Sequence, residues 1–115
     1  MKLQIEAQHL RIRIDEDELA RLLAGAAVVG HTQFAGAFMM HCTLRLQPGS
    51  EALFAGQADA WQIGLPEAAV REHAARLPTR EGLRYLLPGE RDADALELLF
   101  DVDVRDSTRR RYGKG

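Results

Sequence analysis

The sequence predicts an α+β domain in which a curved antiparallel sheet or open barrel carries two helices. Three observations lead there. The stretch Leu10-Arg11-Ile12-Arg13-Ile14-Asp15-Glu16, followed by Leu19, returns as Trp61-Gln62-Ile63-Gly64-Leu65-Pro66-Glu67, followed by Val70. Self-similarity of this kind constrains architecture more tightly than any single motif. Strand patterns outnumber helix patterns, and most connections are too short for parallel crossovers. The internal strand–helix repeat places its copies near residues 1–50 and 51–105 of a single globular domain. A flexible basic tail over 106–115 follows. The repeat bears on fold and hardly on chemistry.

The first strand alternates Leu3, Ile5 and Ala7 inward with Lys2, Gln4 and Glu6 outward. After a turn near Gln8-His9, Leu10, Ile12 and Ile14 form a second buried face. Asp15 then suits a helix N-cap, and Glu18 three residues on completes a capping box. Leu19, Leu22 and Leu23 make the helix stripe, and Gly25 ends it. Residues 27–34 and 38–46 read as a hairpin around Ala35-Gly36-Ala37. That loop sets Phe34 opposite Phe38, Gly30 opposite Cys42 and His31 opposite His41, whereas a two-residue loop would shift the register. Pro48-Gly49 marks a turn, and a short strand over 53–57 leads into the second copy. There Pro66 suits the first helical position, Val70, Ala74 and Leu77 keep helical spacing, and Pro78 ends the element. Residues 82–87 form a strand turned by Pro88-Gly89. Leu96, Leu98, Phe100, Val102 and Val104 give the clearest alternation of all, and Trp61, Ile12, Ile63, Phe100 and Leu98 head the predicted core.

At 115 residues and 46% hydrophobic composition, the chain is long enough to bury roughly two-thirds of its unfolded surface. Lone Cys42 fits a reducing compartment, no apolar run reaches a membrane span, and the start lacks a signal-peptide core. A soluble, cytoplasmic protein is expected. Arg105, Arg109, Arg110, Arg111 and Lys114 against Asp106 give the last eleven residues +4. The remainder then carries −6, since the whole chain carries −2.

Candidate chemistry is sparse. A cross-strand His31–His41 pair would bring two imidazoles close enough to share a metal ion or small ligand, although a structural zinc needs four ligands and a catalytic one three. His73 stands where the first copy has Leu22, at the edge of a buried stripe, and His9 sits at a turn. Glu97, Asp101 and Asp103 share one strand face, where Arg11, Arg13 or Arg84 would pair with them across the sheet. Gly25, Gly30 and Gly36 match no phosphate-binding spacing. The tail residues Arg109, Arg110, Arg111 and Lys114, with Tyr112, form the one basic footprint suited to a nucleic-acid backbone.

Two resemblances follow from particular residues. Met1-Lys2-Leu3, Leu10 to Ile14, Glu18-Leu19, Thr32-Gln33-Phe34 and Trp61-Gln62-Ile63 with Pro66 and Val70 resemble a family of small bacterial proteins of unknown function. Ile63-Gly64-Leu65-Pro66-Glu67-Ala68-Ala69-Val70-Arg71 is similar to the strand-to-helix turn of AbrB-type swapped-hairpin transcription factors, a resemblance that implies an intertwined dimer binding DNA. The first copy lacks the proline of that turn, and the helix starts are acidic at Asp15, Glu16, Asp17 and Glu67.

The leading expectation is a small binding or interaction module without catalytic activity and without a cofactor. Its partner would be a protein or small ligand. A homodimer through a strand edge of the hairpin over 27–46 is a further expectation, because Phe34, Phe38, Met39 and Met40 are more apolar than a solvated tip requires. The alternatives are a swapped-hairpin DNA-binding regulator and a metal- or ligand-binding protein using His31 and His41.

Overall fold

A computed structural model describes residues 1–104; the basic tail with Arg109, Arg110, Arg111 and Lys114 lies outside the described residues. In chain order the elements are β1 (Lys2–Glu6), β2 (His9–Asp15), α1 (Glu16–Leu23), β3 (Val28–Phe34), β4 (Phe38–Gln47), β5 (Leu53–Gln57), β6 (Ala60–Pro66), α2 (Glu67–Ala75), β7 (Leu83–Leu87) and β8 (Leu96–Asp103). One 3-10 turn, Asp92–Asp94, precedes β8. The result is a mixed α+β fold with two helices and two four-stranded sheets, ordered β1-β2-β8-β7 and β3-β4-β6-β5.

That topology corrects the expected single antiparallel sheet. The strands divide between two sheets, and the central pair of each, β2–β8 and β4–β6, is parallel. The argument from short connections considered consecutive strands. Here each sheet instead joins an antiparallel hairpin from the first half of the chain to one from the second half. The parallel contact thus forms between hairpins, with no short connection required to span it.

The two central pairs share a register. Leu10, Ile12 and Ile14 lie opposite Leu98, Phe100 and Val102, while Trp61, Ile63 and Leu65 lie opposite Cys42, Leu44 and Leu46. Backbone bonds at the ends of these pairs correspond too. The Glu97 amide donates to the Gln8 carbonyl at 2.8 Å, and the His41 amide donates to the Asp59 carbonyl at 2.8 Å.

Local chemistry fixes the element ends. Asp15 accepts the Glu18 amide at 2.7 Å while the Glu18 carboxylate accepts the Asp15 amide at 3.1 Å, the reciprocal capping box. Gly25, at φ +94°, takes the left-handed conformation just beyond the Ala24 C-cap. In the second copy Pro66 is the last residue of β6 and the N-cap of α2, one step before the position expected, and Leu77 falls beyond the helix. At the β5–β6 turn Gly56 has φ +102°, and a Cβ there would sit 2.2 Å from the Ala60 carbonyl oxygen. Only glycine fits.

Ile12, Ile14, Leu22, Leu44, Ile63, Leu65, Leu98 and Phe100 are fully buried, and α1 and α2 press Leu19, Leu22 and Val70 into the same core. Burying a side chain of this size contributes about 1.5–3 kcal/mol before entropy is counted. Three positions depart from expectation. Ile5 is 63% exposed, on the edge strand β1. Trp61 is only half-buried, since it lies beneath a groove between β1 and β3. His73 is 2% exposed rather than at a rim, with its ring 6.4 Å from that of Phe100.

Candidate functional site

The outer faces of the two sheets differ in charge. On the first sheet Arg11 and Arg13 both bond Asp101, Arg84 bonds Glu97 at 2.7 Å, and His9 Nδ1 lies 3.2 Å from Glu97. Of the carboxylates that alternate along β8, Glu97 and Asp101 are therefore held by cations from β2 and β7, as the sequence suggested for Arg11, Arg13 and Arg84. On the second sheet the outward positions of β3 and β4 carry Val29, His31, Gln33, Met39, His41 and Thr43, with charge entering only at Arg45. A face this weakly charged loses little solvation when something covers it.

The β3–β4 hairpin has the register of the three-residue loop: Phe34 opposite Phe38, His31 opposite His41, Gly30 opposite Cys42. The loop closes with Ala35 at φ +52° and the Ala37 amide donating to the Phe34 carbonyl at 3.0 Å. At the tip the Phe34 and Phe38 rings lie 4.9 Å apart, and both residues are about half exposed, at 45% and 51%. Met39 beside them is 44% exposed, whereas Met40 points inward and is buried.

The His31 and His41 rings meet edge to face, with centroids 4.7 Å apart. Two imidazoles are thus placed together as the register requires. Among the described residues no group of three or more His, Cys, Asp or Glu side chains is arranged to hold a metal ion. His9 and His73 lie elsewhere.

Beside the hairpin, where the edge strands β1 and β3 diverge, a groove of about 320 Å³ opens between the sheets. Leu3 and Ile5 of β1 form one wall, and Gly30, Thr32 and Phe34 of β3 form the other, joined by His31. Met40, Cys42 and Trp61 lie beneath, with Met1 at one end. Trp61 is fixed by its indole N–H, which donates to the Ala58 carbonyl at 2.8 Å, and by the Phe54 ring 5.4 Å away. Burial pushes the Cys42 thiol up to about 11, an effect the nearby Met1 ammonium only partly offsets. The thiol is protonated at neutral pH and makes a poor nucleophile.

Sequence reading singled out neither Gly30 nor Trp61 for this role. Gly30 carried a usable signal, because a glycine inside a strand marks a place where something approaches the backbone closely. The divergence of β1 and β3 carried none, since it arises from contacts between halves of the chain.

No helix among the described residues is long and apolar enough to cross a membrane. No family model matches the sequence, and no curated protein matches it. The functional reading therefore rests on geometry.

Proposed function

We propose that this chain is a small binding module without catalytic activity, and that it associates with a second copy through the apolar tip of the β3–β4 hairpin. One observation carries the reading. Phe34 and Phe38 stand paired and half exposed at the tip, on the face that leads inward to Met40, and Met39 is exposed on the reverse, nearly uncharged face of the same tip. Contiguous apolar surface rimmed by uncharged polar groups is characteristic of interaction sites. The polar groups elsewhere are engaged structurally: Asp101 and Glu97 by arginines, Glu18 by the chain terminus and the helix start, Cys42 by burial.

Sedimentation at rising micromolar concentration tests it. The expected result is a monomer–dimer equilibrium that Phe38→Ser shifts toward monomer without lowering Tm. A strict monomer across the range, or a dimer indifferent to Phe38→Ser, would overturn the reading.

The swapped-hairpin regulator remains the second reading, supported by the way each sheet sets a hairpin from one half of the chain beside a hairpin from the other. Its electrostatics rest on Arg109, Arg110, Arg111 and Lys114, outside the described residues, and the first turn of α1 is acidic at Glu16, Asp17 and Glu18. A salt-dependent shift with duplex DNA would favour it. Stoichiometric zinc uptake lost in His31→Ala would favour the His31–His41 reading instead.

A further inference from the structure

The shared register sets Gly30 and Tyr85 at corresponding positions. Across the second sheet one row runs Gly30, Cys42, Trp61, Gly56; across the first the corresponding row runs Tyr85, Leu98, Leu10, Ile5. Where β7 carries a phenol ring packed against the core, β3 carries no side chain. The groove between β1 and β3 lies at Gly30, whose counterpart Tyr85 packs a ring against the core.

The lining decides what charge could enter. No Lys, Arg, Asp or Glu borders the groove. The Met1 ammonium at its end is taken up by both Glu18 oxygens, at 2.9 and 2.8 Å. A carboxylate or phosphate entering would lose its hydration and meet no free cation. A neutral ligand loses little. The volume lies at the small end of the range for compact ligands, and apolar walls with one hydroxyl at Thr32 match the usual makeup of such sites.

We propose that the groove between β1 and β3 binds a neutral, apolar small molecule, held between Leu3 and Ile5 on one side and Thr32 and Phe34 on the other and resting on Trp61, in the space left by the missing side chain of Gly30. This goes beyond the association reading, because of the tip residues only Phe34 lines the groove, while Phe38 and Met39 do not.

The test uses N-phenylnaphthylamine, a neutral fluorescent probe, and its sulfonated analogue, anilinonaphthalene sulfonate, of similar shape but negative charge. Trp61 is the only tryptophan, so its emission reports on the groove itself. The neutral probe should bind saturably at one equivalent with energy transfer from Trp61, and the sulfonate should bind about tenfold more weakly. Gly30→Tyr should weaken the neutral probe about tenfold or more. A Cβ there meets only the flexible end of Met1, at 3.0 Å, so the substitution fits the backbone. Ile5→Lys, at an exposed position of the wall, should weaken it similarly and carries the test should Gly30→Tyr misfold. Phe38→Ser should leave it unchanged. Absent saturable binding, equal affinity for both probes, indifference to Ile5→Lys and to a folded Gly30→Tyr, or loss of binding in Phe38→Ser would each overturn the proposal.

Discussion

The Met1 ammonium donates to both carboxylate oxygens of Glu18, at 2.9 and 2.8 Å, and Glu18 in turn accepts the Asp15 amide at 3.1 Å. One buried carboxylate thus joins the start of β1 to the start of α1. Glu18→Gln keeps the size and an acceptor for the Asp15 amide but leaves a buried ammonium facing a neutral amide. It should cost about 1.5–3 kcal/mol, the range for hydrogen bonds to charged groups. Asp15→Ala removes only the cap and should cost about 1 kcal/mol. Urea melts of the two variants measure the difference, and an unaffected midpoint in Glu18→Gln would show that the ion pair does not hold the elements together.

Phe100 is fully buried at the centre of β8, and Asp101 on the opposite face binds Arg11 and Arg13. Phe100→Ala should cost about 3–5 kcal/mol by leaving a cavity. From sequence, Asp101→Ala would cost little; the double arginine contact raises the expectation to about 1 kcal/mol. Comparable denaturation midpoints for the two variants would contradict this division of β8 into a core face and an ion-paired face.

His73 should make stability depend on pH. Burial, with a smaller push from Arg76, lowers its pKa from the ordinary 6.5, and Asp101 opposes the shift. Its contribution is complete above about pH 6.5, where both folded and unfolded chains hold a neutral imidazole. As pH falls through that value the unfolded chain takes up a proton that the folded chain refuses, and stability declines until the lower folded pKa is passed. His73→Leu, which supplies the residue found at Leu22, should flatten this decline. Urea midpoints on both sides of pH 6.5 decide, and an equally steep decline in the variant would place the acid sensitivity elsewhere.

Much of the local structure was legible because it depends on near neighbours. The Asp15–Glu18 capping box, the Gly25 stop, the hairpin register around Gly36 and the inward phase of Leu98 and Phe100 follow from spacing within a few residues. The pairing of Arg11 with Asp101 was legible too, since both sit on polar strand faces. What escaped depends on distant parts of the chain. The parallel contact between Ile12 and Phe100 joins segments that periodicity treats separately. The burial of His73 follows from Phe100 beneath it, and the half-exposure of Trp61 from the gap between β1 and β3. Of the candidate site, the apolar tip could be read from Phe34, Phe38 and Met39, while the groove could not.

The most direct test of association through the hairpin tip uses the chain's three methionines. Met39 is exposed at the tip, Met40 points into the groove, and Met1 lies at the groove's end. Methyl-labelled methionine NMR over a dilution series reads all three at once. The Met39 methyl resonance should move with concentration while those of Met1 and Met40 stay fixed. Three resonances that hold still throughout the series, or movement confined to Met1 and Met40, would contradict the account.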